Sequence, residues 1–136
     1  MGAWGADTFQ NDMASDWNYG LDSESDLAYV RQTLESVRSI GSEYLDSDFS
    51  CAALAACEVI ARLKGNWGLR DAHSKSLDEW VQKNPQTPPN DLIQLALEVI
   101  DRVTTPPSEL QELWLESDEG DAWLASVRSL RGRVAG

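Results

Sequence analysis

The sequence predicts an all-α fold, a single-domain irregular bundle of about six or seven short helices around a central Ala-rich helix, over residues 1–136. Three observations carry this expectation. Apolar residues recur at spacings of three and four in one segment after another, the period of an amphipathic helix. Between those segments stand Gly, Pro, Asn, Ser and Asp at positions that suit caps and turns. No segment joins two-residue alternation to β-branched enrichment, and no fixed period marks a solenoid.

Phe9, Met13, Trp17 and Leu21 form one stripe of a first helix expected from near Thr8 to Gly20. Ser23 and Asp26 resemble a capping pair, and Leu27, Val30, Leu34 and Val37 mark the buried face of a second helix ending near Gly41. The third runs from about Ser47 to Lys64 and stops at Gly65; its stretch CAALAAC, Cys51 to Cys57, is apolar all round, which places it centrally with small side chains that let neighbours approach. Ser76 and Glu79 have the spacing of a capping box for a short fourth helix with Leu77, Trp80 and Val81, ended by Asn84-Pro85. Pro88-Pro89-Asn90 opens a fifth with a wide apolar face, Leu92, Leu95, Ala96, Val99, Ile100 and Val103. Pro106-Pro107 closes the next turn, and Ser108 with Gln111 caps a sixth helix bearing Leu110, Leu113 and Trp114. Asp118 opens a seventh, with Trp123, Val127 and Leu130 inward and Arg128, Arg131 and Arg133 placed to complement the negative end of its dipole.

A hydrophobic fraction of 42% is enough for a packed core and argues against disorder as the bulk state. The 23 acidic and 11 basic side chains leave a net charge of -12, a surface that repels phosphate. Direct nucleic-acid binding is therefore disfavoured, while a basic protein partner or a cationic ligand fits. No basic stretch leads into an apolar run near the start, and no segment approaches the ~20 apolar residues of a membrane span, so a cytoplasmic protein with no membrane association is expected. Cys51 and Cys57 lie on one helix too far apart to bridge and read as reduced core residues.

Several residues are candidates for chemistry. Asn11, Asp12, Asp16 and Trp17 cluster in the first helix, where Asp12 and Asp16 share a face and repel. That repulsion suits a hard cation with oxygen ligands, or Asp7 and Asp12 complement the helix N-terminus while Asp16 is solvated. Glu58 is the one charge in the apolar interval from Phe49 to Ala61, and it reads either as a general acid or base or as an ion-pair partner of Arg62 or another cation. Trp67, Arg70 and the single histidine, His73, share a loop, where Arg70 and His73 suit an anion and Trp67 is expected to be exposed at an interface. No nucleophile elbow and no Gly-rich phosphate loop is present. Neither a cofactor nor a defined metal site is expected, catalytic residues are not identified, and an enzyme is the less favoured class. Gly2, Trp4 and Gly5 read as an N-terminal packing device.

The opening MGAWGADTFQNDMASDW, with Met1 to Gly5, Phe9, Asn11-Asp12, Ala14 and Asp16-Trp17, resembles the start of the domain-of-unknown-function family 4259. The segments AALAACEVI, Ala52 to Ile60, and SELQELW, Ser108 to Trp114, are also similar to that family. The resemblance implies a bacterial origin, a small all-α domain and no assigned activity, and it carries no catalytic residues with it.

The function expected from these readings is a non-catalytic, acidic helical interaction module, immunity-like or regulatory, that binds a basic partner; it rests on the charge excess, concentrated in segments such as Asp22 to Asp26 and Glu43 to Asp48, and on the absence of a catalytic set. The alternatives are a metal-assisted hydrolase using Asp12, Asp16 and Glu58, or an acidic mimic of nucleic acid.

Overall fold

A helix with apolar side chains on every side must be covered on every side, and the chain is folded around that requirement. The computed structural model describes residues 11–136. Within them the order is α1 (Asp12–Leu21), α2 (Ala28–Arg38), α3 (Ser47–Leu63), α4 (Lys75–Lys83), α5 (Asn90–Val103), α6 (Glu109–Leu115) and α7 (Gly120–Ala135). The central helix α3 touches each of the other six. Ala53, Ala55, Ala56 and Ala61 are fully buried along it, so neighbours pack close to its backbone from all directions. The fold is an all-α single-domain bundle, and the described residues contain no strand; Leu45 and Ser108 form an isolated bridge.

Local chemistry sets most boundaries where the sequence places them. Asn11 caps α1 by accepting from the Ala14 N–H at 2.8 Å, and Ser108 caps α6 from the Gln111 N–H. At the end of α3 the Gly65 N–H bonds Arg62 and the Asn66 N–H bonds Ala61, a Schellman closure that needs the left-handed φ of 87° at Gly65.

Three starts differ from the sequence reading. The α4 helix begins at Lys75, before the Ser76 and Glu79 pair, because Asp71 and Ser74 order the preceding turn: the Asp71 carboxylate accepts from the His73 and Ser74 N–H groups. At the start of α2 the N-cap position is Leu27, and Asp26, one residue before it, accepts from the Ala28 N–H, while the Ser23 hydroxyl donates back to the Gly20 carbonyl at the end of α1. The α7 helix begins at Gly120, two residues past Asp118. The expected contributions of Asp7, Thr8 and Phe9, and of the Gly2, Trp4 and Gly5 device, lie outside the described residues.

Two long-range ties fix the loops at one end of the bundle. The Glu109 carboxylate accepts from the Ser47 N–H at 2.8 Å, so a residue of α6 caps α3. The Arg102 guanidinium donates to four carbonyls, those of Gly41, Glu43, Thr105 and Pro107, at 2.6–3.0 Å. Both loops are thereby held to the end of α5. A lysine has no planar fork to span four acceptors. Arg102→Lys is expected to lower stability by about 1–3 kcal/mol in urea denaturation; an unchanged midpoint would mean the carbonyl contacts are dispensable.

Candidate functional site

The anomaly of the central helix is its carboxylate. Glu58 is buried, and Arg133, reaching in from α7, donates to both its oxygens at 2.8 and 3.1 Å. Arg62, one turn on, lies 3.7 Å from the same carboxylate. Arg62 has its own set of partners, with the Leu69 carbonyl at 2.8 Å and Asp78 of α4 at 3.3 Å. Asp78 also accepts from the Ser74 hydroxyl at 2.8 Å, and half-exposed Arg70 stands 3.9 Å from it. One ionic cluster therefore joins α3, α4 and α7 beneath the loop that follows α3.

Trp67 lies over this cluster. Its ring meets the Arg70 guanidinium at 4.2 Å and that of Arg62 at 5.6 Å. The expected exposed tryptophan is thus a partly buried cover, and no tryptophan among the described residues is exposed. Arg133, expected at the dipole end of α7, is drawn inside because an isolated buried carboxylate costs several kcal/mol and a bidentate guanidinium offsets much of that. Gly68 makes the route: a Cβ there would sit 2.6 Å from the Arg133 guanidinium. Burial pushes the Arg62 pKa down from its ordinary value, while the charges of Glu58 and Asp78 push it up.

The sequence candidates separate in space. Asn11 is a cap and Asp12 and Asp16 are exposed on α1. Trp17 is buried, donates its indole N–H to the Thr33 hydroxyl at 2.9 Å and stacks on Tyr29 at 5.0 Å. Glu58, Trp67 and Arg70 belong to the ionic cluster, and exposed His73 stands before α4. Among the described residues no three His, Cys, Asp or Glu side chains gather as metal ligands, so Asp12, Asp16 and Glu58 do not form the centre that metal-assisted hydrolysis needs. Both Glu58 oxygens accept from Arg133, which is the ion-pair reading of this residue, with Arg133 rather than Arg62 as the principal partner.

The surface holds what the residue-by-residue reading passed over. Tyr44, Phe49 and Leu115 are about half exposed, and Tyr44 sits near carboxylates of α6 and of the residue before α3. Desolvation, a hydrogen bond to Glu112 and the charges of Glu112, Glu109 and Asp46 all push the Tyr44 phenol up. Leu115 follows Glu112 by three residues on α6, and Phe49 lies in the first turn of α3, which Glu109 caps. The signal in the sequence was the acidic run Glu43 to Asp48; that α6 would supply its other half was not visible there.

The chain belongs to the family described as a domain of unknown function (DUF4259), whose model matches residues 2–126. No curated protein and no solved structure matches it.

The route past Gly68 gives a cycle of variants. Gly68→Ala is expected to cost about 1–3 kcal/mol in urea denaturation, because Arg133 must leave Glu58, and to cost little once Arg133→Met has removed that contact. Equal cost in both backgrounds would locate the penalty in the loop backbone instead. Burial, with Asp48 and Asp46, pushes the Cys51 thiol up to about 12, and burial and then Glu58 raise Cys57 further. Both cysteines are thus expected to react with a thiol reagent at about pH 8 far more slowly in the native protein than in urea.

Proposed function

We propose that this member of the family is a non-catalytic interaction module, immunity-like or regulatory, which binds a basic segment of a partner protein at the face formed by the loop before α3 and by α6. The observation that carries the reading is Tyr44, a half-exposed aromatic in the field of Glu112, Glu109 and Asp46. Aromatic side chains are enriched at protein interfaces because they bury much area at little entropic cost, and the carboxylates around Tyr44 favour lysine and arginine opposite them. Phe49, on α3, and Leu115, on α6, are further half-exposed apolar side chains on these elements.

The internal pairing of the cations supports the same reading. Arg31, Arg38, Arg62, Arg70, Arg131 and Arg133 meet carboxylates within the fold, so the excess acid is left for solvent or a partner. Long-range attraction then speeds encounter, and the apolar side chains set how long the complex lasts.

The test is affinity capture with the full chain, followed by titration of the purified captured protein. Tyr44→Ala is expected to weaken binding by about tenfold or more, as for a central aromatic contact. Added salt should slow association. A captured protein that binds Tyr44→Ala as tightly as the native chain, or without salt dependence, would overturn the assignment.

A further inference from the structure

Arg133 sits in a cradle made by other parts of the chain. The Glu58 carboxylate is its floor, a side chain only 6% exposed that offers both oxygens to the guanidinium at 2.8 and 3.1 Å. Gly68 is its wall: a Cβ there would lie 2.6 Å from the guanidinium carbon, so the missing side chain leaves room for a planar cation. Floor and wall belong to α3 and the loop after it, while the occupant is delivered by α7. The Arg133 side chain keeps 18% of its surface exposed, so the cradle borders on solvent.

The helix that delivers Arg133 is weakened beside it. Gly132 lies within α7, and a Cβ there would meet no neighbouring atom within 4 Å. Close packing does not require this glycine, whereas at Gly120 in the same helix a Cβ would lie 2.7 Å from the Trp114 carbonyl. Relative to alanine, a glycine inside a helix shifts the local equilibrium toward opening by about fivefold. The ties beyond it are buried Val134, whose carbonyl accepts from Lys64, and the Arg133 carbonyl, which accepts from the Asn66 amide at 2.8 Å. Helix ends open locally at a fraction of the cost of global unfolding, so the turn carrying Arg133 is the part of α7 that opens most readily.

We propose that the cradle of Glu58 and Gly68 is a guanidinium site which α7 closes in cis, and that opening of the helix end beyond Gly132 admits an arginine side chain of a partner protein in place of Arg133. A planar guanidinium bonds both carboxylate oxygens at once, which the point charge of a lysine does not. A peptide-borne arginine suits the site better than free arginine, whose α-carboxylate would approach a chain of net charge -12. The site shares no residue with the Tyr44 face, and binding at each is measured independently.

The experiment uses the full chain carrying Arg133→Ala, which empties the cradle. Methylguanidinium and N-acetyl-L-arginine amide should bind it saturably, read as NMR shifts of the Glu58 and Gly68 amides and as a raised melting temperature. Methylammonium at the same ionic strength should bind about tenfold more weakly, since it lacks the planar fork. L-arginine should bind more weakly than its blocked amide. The native chain provides a second measurement that does not depend on the variant folding. Amide hydrogen exchange at residues 133–135 should be faster than at 123–130, should be accelerated further by N-acetyl-L-arginine amide but not by methylammonium, and should slow about fivefold in Gly132→Ala. Equal binding of methylammonium, a folded Arg133→Ala chain with no saturable shift at Gly68, or exchange at 133–135 as slow as at 123–130 would each overturn the proposal. Equal binding of L-arginine and its amide would overturn the peptide source.

Discussion

The contact between Arg133 and Glu58 is the constraint on which much of the arrangement depends. Helix α3 must be covered all round, and a carboxylate in the middle of such a helix has to find a cation inside the fold. Arg62 comes from the same helix, but its other bonds run to Leu69 and Asp78. Arg133 comes from the far end of the chain, so satisfying Glu58 docks α7 against α3. Asp78, answering Arg62, docks α4 in turn. Two carboxylates thus decide how three helices meet, and the loop over them is shaped by the room Arg133 requires at Gly68. Such clusters add little net stability over apolar packing, yet an uncompensated member is costly, so they penalise alternative arrangements.

At the other end of the bundle the ties run to backbone. Arg102 gathers the carbonyls of two loops, and Glu109 supplies the cap that α3 needs in addition to Asp46. These contacts hold the loop before α3 beside α6, and through them Tyr44 and Glu112 come together. The acidic face is therefore a product of internal satisfaction of backbone groups, made by residues far apart in sequence.

Charge distribution follows from the same economy. The sequence has about twice as many acids as bases, and the fold uses most of its arginines on internal carboxylates and carbonyls. Lys64, too, donates to a backbone carbonyl, that of Val134. What remains outside is mostly carboxylate.

The helices, their apolar faces and the central place of α3 were legible in the sequence because they depend on local spacing: Leu92 to Val103 repeats with the helix, and Gly65 stops α3 through its own backbone freedom. The resemblance in the first seventeen residues, together with AALAACEVI and SELQELW, likewise indicated the family. Glu58 announced itself as an ionic anomaly, but its principal partner did not, since a contact spanning 75 residues leaves no trace in spacing. For the same reason Trp67 read as exposed when two guanidiniums hold it in place, and Asp12 and Asp16 read as sharing a centre with Glu58 that the fold does not build. Local sequence determined which residues become helix and which of their faces seek cover. Tertiary structure alone decided which buried charges meet, because burial and charge pairing are properties of neighbours in space.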